Sequence, residues 1–248
     1  MTDGPLHGDR ALALSFGSEA ESYEQHRPDF PPAMMDVVAR LGHRVLDVGS
    51  GTGKAARALL DRGCSVLAVE PDVHMATIAR RKHVVVEPGT FEEWDPRGRM
   101  FDLVTFARSW HWVDPESAIE KLTQIVVPGG HVALLTHEAS WSLFAHEPVK
   151  SVVEKYVRRD DTPRRRPTDD RTVGLFTDAG FEVRVEEFPT TTVVDVEEWL
   201  DAMFTYSRFL VLTPEQKTQL RVDLAEAVGT GPITVEGTPR AVIARRTR

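Results

Sequence analysis

LDVGSGTGK, residues 46–54, decides the fold. An apolar run closes on Asp47, and Gly49, Gly51 and Gly53 crowd the turn that follows. Glycine at alternate positions tolerates positive φ and lets a ligand approach bare backbone, while a helix starting at Lys54 directs free N–H groups and a partial positive charge at the same spot. The stretch reads as a strand, a tight nucleotide-binding turn and a helix start. Spacing then separates the glycine turns. In the dinucleotide pattern GxGxxG the third glycine would fall on Lys54. A phosphate-gripping GxxxxGK[ST] loop would need glycine at Val48 and Ser or Thr at Ala55. Both patterns fail, and DxGxGxG remains.

Outward from this turn, RVLDVG, SVLAVE, HVVVE, FDLVTFA and HVALLT are short, nearly continuous apolar runs of the kind found in strands buried on both faces. Helical stretches separate most of them: 54–62 with Ala55, Ala58 and Leu59 on one face, 73–82 with cations at its end, and 115–126 opened by Pro115. FEVRVEEF and PRAVIARR supply two further strands, with a helix over 169–179 before the first of them. The predicted fold class is α/β: a doubly wound, mostly parallel seven-stranded sheet with a helical cap insertion. Residues 1–248 are read as one domain. Within it, 1–42 is an N-terminal helical cover, 138–170 a charged, proline-broken insertion, and 190–230 a helical cap too long for a hairpin turn.

Composition narrows the class. Of 248 residues, 41% are hydrophobic and 27% charged, which suits a globular domain, and the net charge of −8 gives no overall field for nucleic acid or an anionic membrane surface. No run approaches the roughly 18 apolar residues of a membrane span. The expected setting is cytoplasmic, with a small-molecule partner, no nucleic acid, no membrane, and a monomer or homodimer. Cys64 is the single cysteine, so no intrachain disulfide or cysteine-cluster metal site forms, and His131 and His137 stand too far apart on one strand to pair on a metal. No metal is expected.

Ligands of open parallel sheets bind at the carboxyl ends of the strands, so each end is a candidate position. Glu70 ends the second strand 21 residues after Gly49, where a carboxylate can accept both hydroxyls of a ribose. Past the fourth strand, His111 offers an imidazole, the side chain suited by its chemistry to general-base work near neutral pH, or else is simply hydrogen-bonded beside Trp110 and Trp112. In the cap, Trp199, Met203 and Tyr206 recur at helical spacing, either facing an acceptor or seating the helix on the core.

Taken together, DVGSGTG at 47–53, EPDVHM at 70–75, GTFEEW at 89–94, FDLVTFARSWHWVDP at 101–115 and YEQHRPDFP at 23–31 resemble the class I S-adenosylmethionine-dependent methyltransferases, in particular a small-molecule subgroup that includes trans-aconitate methyltransferase-like proteins. The resemblance covers most of residues 16–136. It implies S-adenosylmethionine as cofactor, with S-adenosylhomocysteine as product, and a small acceptor such as a carboxylic acid or hydroxyl compound. It implies a cofactor site of Asp47, Gly49, Gly51, Thr52, Glu70, Pro71, Met75, Phe91, Glu92 and Ala107, closed over by Tyr23 and Arg27, with Arg27 pairing the cofactor carboxylate. His111 falls beside the transferred methyl, and Trp110, Trp112, His137, Trp199 and Tyr206 border the acceptor. Plainer roles exist for several of these: Asp47 bonding turn amides, Met75 and Tyr23 packing, Glu92 favoured by a helix dipole. An NAD-dependent oxidoreductase, argued by the glycine turn and Glu70 but opposed by Lys54, and a non-catalytic nucleoside-binding protein on the same fold are the competing readings.

Overall fold

In the computed structural model, which describes residues 19–136, 147–157 and 170–247, the apolar runs form strands because each sends alternate side chains into two separate cores. Strand β1 (Arg44–Val48) gives Leu46 and Val48 to one face and Val45 to the other, and β4 (Phe101–Ala107) and β5 (Val126–Leu135) divide their residues in the same way. With both faces covered, no polar alternation is left to see. One core is aromatic, built on Phe91, Phe106, Trp110, Phe176 and Phe181. The other is aliphatic and small, holding Met34, Met35, Ala55, Ala56 and Leu59.

Helices α1 (Ala20–His26) and α2 (Pro32–Ala39) precede β1. Helix α3 (Lys54–Leu60) and β2 (Ser65–Glu70) follow the glycine turn, and α4 (Val73–Arg81) leads to β3 (Val85–Pro88). Asp72 caps α4 by accepting from the amides of His74 and Met75, while Arg80 and Arg81 sit favourably in its last turn. A short 3-10 turn at Trp110–Trp112 follows β4, and α5 (Pro115–Ile125), with Pro115 in its first turn and Asp114 as its cap, leads into β5. Helices α6 (Val149–Tyr156) and α7 (Asp170–Asp178) precede β6 (Phe181–Glu187). The chain then runs through β7 (Thr190–Val194), α8 (Val196–Phe204), α9 (Ser207–Leu210), α10 (Pro214–Val228) and β8 (Ile233–Gly237) to β9 (Arg240–Arg246).

The main sheet has the order β3-β2-β1-β4-β5-β9-β6. β1 to β5 pair in parallel, and β9 runs antiparallel between β5 and β6. This matches the expected mostly parallel seven-stranded sheet. The antiparallel strand fixes the position of the cap. Because β6 and β9 run in opposite directions, the end of β6 and the start of β9 lie at the same edge, where Phe188 N–H bonds Pro239 O at 2.9 Å. That edge is also the carboxyl edge of β1 to β5, since Ala241 pairs with Leu135. Everything between residues 188 and 239 therefore leaves and returns at the sheet edge that carries the glycine turn.

Two details of the cap differ from the sequence reading. It carries its own two-stranded antiparallel ribbon, β7 with β8, so it extends past residue 230. It also has a core of its own, in which Trp199, Leu200, Met203, Phe209, Leu220 and Leu224 enclose Val149, Val152 and Val153 of α6. The described part of the 138–170 insertion is thus a wall of the cap. Tyr156 Oη donates to Asp223 at 2.8 Å across that joint. Among the described residues no helix is long and apolar enough to cross a membrane, and no cluster of three or more His, Cys, Asp or Glu can hold a metal ion.

Candidate functional site

All three glycines of the turn have positive φ, +62° at Gly49, +55° at Gly51 and +77° at Gly53, but they differ in what surrounds them. A Cβ on Gly49 would stand 2.7 Å from Ser109 Cβ, and one on Gly53 would stand 2.9 Å from Ala79 Cβ. Those two glycines are required by packing, against the loop after β4 and against α4. A Cβ on Gly51 would meet nothing within 4 Å. Its bare face is an open cradle at the tip of the turn.

Two carboxylates define the cradle. Glu70, at the end of β2, accepts from Gly51 N–H at 2.7 Å with one oxygen and from Asp72 N–H at 2.9 Å with the other. It thereby ties the turn to the strand two places along the motif. Burial pushes its pKa up to about 7, against the pull of those two amides. Asp47 is fully buried beneath the turn. Its Oδ1 accepts from Thr105 Oγ1 at 2.7 Å, and its Oδ2 has no hydrogen-bond partner. Burial pushes this group also to about 7, only partly relieved by Thr105 and by the Ala56 amide. The hydroxyls of Ser50 and Thr52 are buried without partners in the same turn. A buried loop so poor in partners is unusual, since buried polar groups are nearly always satisfied.

The loop after β4 closes the other side. Arg108 takes φ +62°, a left-handed conformation that costs a non-glycine residue about 1–2 kcal/mol, and Ser109 Oγ donates to the Val48 carbonyl. His111 and Trp112 are half-buried, their rings 4.7 Å apart. Ala107 ends β4 in register with Leu135.

Above the sheet edge, α1 meets the cap. Arg27 lies 3.6 Å from the centre of the Tyr206 ring and 5.6 Å from that of Tyr23, and its Nη1 donates to Thr205 Oγ1 at 3.3 Å. Tyr23 also bonds Arg108. Burial alone would raise the Tyr23 phenol, but the Arg27 and Arg108 cations outweigh it and hold its pKa low. Pairs between His26 and Asp201 and between Lys217 and Glu19 add to the joint between α1 and the cap.

Several expected site residues are placed elsewhere. Trp110 is buried in the aromatic core, edge-on to Phe106 at 5.0 Å and stacked at a tilt on Phe176, with its indole Nε1 buried without a partner. Trp199 is likewise inside the cap core, seating α8 as the plainer reading had it. The Phe91 ring is committed to Phe106 in the core, and its carbonyl accepts from Lys121 Nζ at 2.6 Å. Glu92 is exposed and accepts from Asp114 N–H at 3.0 Å, joining its loop to the start of α5. Met75 packs with Ala20, Ile78 and Tyr23, while Pro71 is exposed beside it. His137 lies outside the described residues. His131 is held by the Leu41 carbonyl at 3.0 Å, a structural role. Sequence reasoning passed over Thr105 and Arg108. The first was hidden in an apolar run, and the second stood one position past the end of β4 with nothing in its spacing to mark it.

Comparison with known proteins adds the family. The methyltransferase-domain family matches residues 23–186. An uncharacterized methyltransferase of Mycobacterium tuberculosis is 40% identical over 129 residues, 51% of this chain and 53% of that protein, so the chain spans about half the length of that relative. An uncharacterized methyltransferase of Schizosaccharomyces pombe is 24% identical over 232 residues, 89% of this chain and 90% of the other. Among solved structures, phosphoethanolamine N-methyltransferase 2 of Haemonchus contortus, in complex with phosphomonomethylethanolamine and S-adenosylhomocysteine, superposes with a TM-score of 0.58 at 15% identity, covering 100% of this chain and 61% of that one. At that identity the likeness is one of fold.

Proposed function

The chain belongs to the methyltransferase-domain family, and from that premise we propose that it moves a methyl group from S-adenosylmethionine to a small-molecule acceptor. The observation that carries the proposal is the Gly51 cradle: open backbone with no atom within 4 Å of a Cβ, flanked by the Glu70 carboxylate and by the unpartnered Asp47 Oδ2. A nucleoside cofactor with an ammonium group fits that donor set. Glu70 has lone pairs left for a ribose diol, and Asp47 supplies negative charge under the turn. Arg27 is suited to a carboxylate, and the loop at Phe91 and Glu92 to an adenine edge through its backbone.

When bound, the cofactor supplies an electrophilic sulfonium methyl, with S-adenosylhomocysteine as leaving group. The chain's own work is alignment and dryness. Reacting atoms held roughly 3–3.5 Å apart gain most of the available rate, and the cap above the sheet edge excludes water. His111, just past β4, takes the proton of a hydroxyl or amine acceptor, while a carboxylate acceptor needs no base. A net charge of −8 favours a small acceptor over nucleic acid.

Thermal denaturation tests the cofactor. At about 100 times its dissociation constant a ligand adds roughly 2.7 kcal/mol, so S-adenosylmethionine and S-adenosylhomocysteine are expected to raise the midpoint by several degrees and NAD to leave it unchanged. Stabilisation by NAD alone would overturn the proposal in favour of an oxidoreductase. Binding of S-adenosylmethionine without label transfer to any of a panel of small acids, phenols and amines would leave a nucleoside-binding protein.

A further inference from the structure

The joint between α1, the β4 loop and the cap contains two guanidiniums, and among the described residues no carboxylate pairs with either. Among the described residues, neither Arg27 nor Arg108 has an Asp or Glu oxygen within 4.0 Å, and the Nε of each is buried without a partner. What they do have is hydroxyl, carbonyl or aromatic, the Tyr23 phenol that bonds Arg108 included. Arg108 Nη2 donates to the Pro28 carbonyl at 2.7 Å and its guanidinium lies 4.4 Å from the centre of the Phe30 ring, while Arg27 faces Tyr206, Tyr23 and Thr205. The nearby acids are engaged by other cations: Asp29 by Lys54 at 2.9 Å, Glu24 by Lys82 at 2.8 Å, and Asp201 by Arg221 at 2.8 Å. Arg27 and Arg108 are close enough for each charge to oppose the other.

A partly buried cation whose Nε is shut off from solvent and has no counter-ion is costly, and two side by side are costlier. A ligand with one carboxylate relieves one of them. If the cofactor's carboxylate falls to Arg27, as the proposed function has it, the second charge still needs an anion. Arg108 belongs to the acceptor side by position, standing directly after the carboxyl end of the central strand β4 and three residues before His111. Its ring support and its bond to Pro28 fix the planar fork, the geometry that recognises a carboxylate or phosphate with two parallel hydrogen bonds.

We propose that Arg108 is the specificity residue for the acceptor, and that the acceptor is a small molecule bearing a carboxylate or phosphate group held by the Arg108 guanidinium beside Arg27. The inference rests on the methyl-transfer reading for which ligand takes Arg27. The anionic group serves as the handle, whether or not it is also the atom methylated.

Calorimetry on the protein saturated with S-adenosylhomocysteine tests this, with citrate and inorganic phosphate titrated separately at low ionic strength. One anion is expected to bind per chain, and the tighter of the two identifies carboxylate or phosphate as the preferred handle. Arg108→Gln is expected to weaken that binding at least tenfold and to leave S-adenosylhomocysteine affinity within about twofold, whereas Arg27→Gln weakens S-adenosylhomocysteine itself. Arg108→Lys, which keeps the charge but loses the fork, should fall between wild type and Arg108→Gln and serves if the latter does not fold. Failure of both anions to bind, or equal binding to wild type and Arg108 variants, would overturn the proposal. So would a loss of S-adenosylhomocysteine affinity in Arg108→Gln as large as in Arg27→Gln, which would make both arginines ligands of one cofactor carboxylate. If wild type takes up no S-adenosylhomocysteine, the methyl-transfer reading fails, and the same titrations without it report on Arg108 alone.

Discussion

The glycine turn and the cap face each other across one sheet edge, yet they are built in opposite ways. The turn is local: residues 47–53 and the strand end at Glu70 form it with backbone hydrogen bonds, such as Gly49 N–H to Val69 O at 2.8 Å. The cap is assembled from distant pieces. Val149, Val152 and Val153 of α6 meet Leu220 and Leu224 of α10 some seventy residues on, and a separate ribbon closes the unit. The turn shares both cores of the sheet, whereas the cap has a core of its own and joins the sheet through the neck at Phe188 and Pro239 and the polar joint with α1. A part tied into the main cores opens only with the whole domain, while a part with its own core can loosen by itself. The turn is therefore expected to open only with the whole domain, and the cap to be the part that can loosen by itself.

The sharpest way to break this contrast is to weaken the cap core. Leu200 is fully buried there, and Leu200→Ala is expected to cost about 2–5 kcal/mol. Hydrogen exchange should show the loss in residues 149–156 and 196–228 while β1, β4 and β5 stay protected. Uniform loss of protection across the sheet would show that the cap and the sheet unfold together.

On the turn side the matching change is Glu70→Ala. It removes the acceptor of the Gly51 and Asp72 amides and is expected to weaken S-adenosylhomocysteine binding by about 1.5–3 kcal/mol, measured by calorimetry. Leu200→Ala should leave that affinity nearly unchanged. Equal effects of the two substitutions on affinity would mean that the cap is part of the cofactor cradle.

The smallest effect per measured step is a pH dependence, taken one pH unit at a time, that belongs to Asp47 in the turn. An unfolded Asp ionises near pH 4, while folded Asp47 keeps its proton until about 7. Between these values the folded chain binds more protons, so this contribution to stability is fully present below about pH 4 and is lost as pH rises to 7. The slope is about 1 kcal/mol per pH unit. Urea denaturation of wild type and Asp47→Asn at pH 5, 6 and 7 isolates it. The variant should show the flatter dependence, and parallel curves would mean that Asp47 is already ionised in the folded chain.

Legibility in the sequence followed the same divide. DVGSGTG announced the turn because positive φ selects glycine, and all three positive-φ positions fall within seven residues, although the approaches of Ser109 and Ala79 that also require glycine come from afar. The strands announced themselves because burial on both faces leaves unbroken apolar runs. Trp110 and Trp199 misled for a related reason: an aromatic beside a site and one in the core present the same letter, and only the packing of Trp110 on Phe106 and Phe176 tells them apart. The β7–β8 ribbon was lost because TTTVV and ITVEG are short and largely polar outward, and pair with each other across some forty residues.

The sequence by itself therefore determined the parallel sheet, the glycine turn, the place of Glu70 beside it and the presence of an insertion before the last strand. Each of these is written in local pattern, through periodicity and backbone conformation. The tertiary structure alone decided that α6 belongs to the cap, that the cap leaves and returns at the carboxyl edge because β9 runs antiparallel, and that Arg27 and Arg108 meet without a counter-ion among the described residues. Those facts depend on which distant side chains are brought together and which charges are left over, and long-range packing sets both.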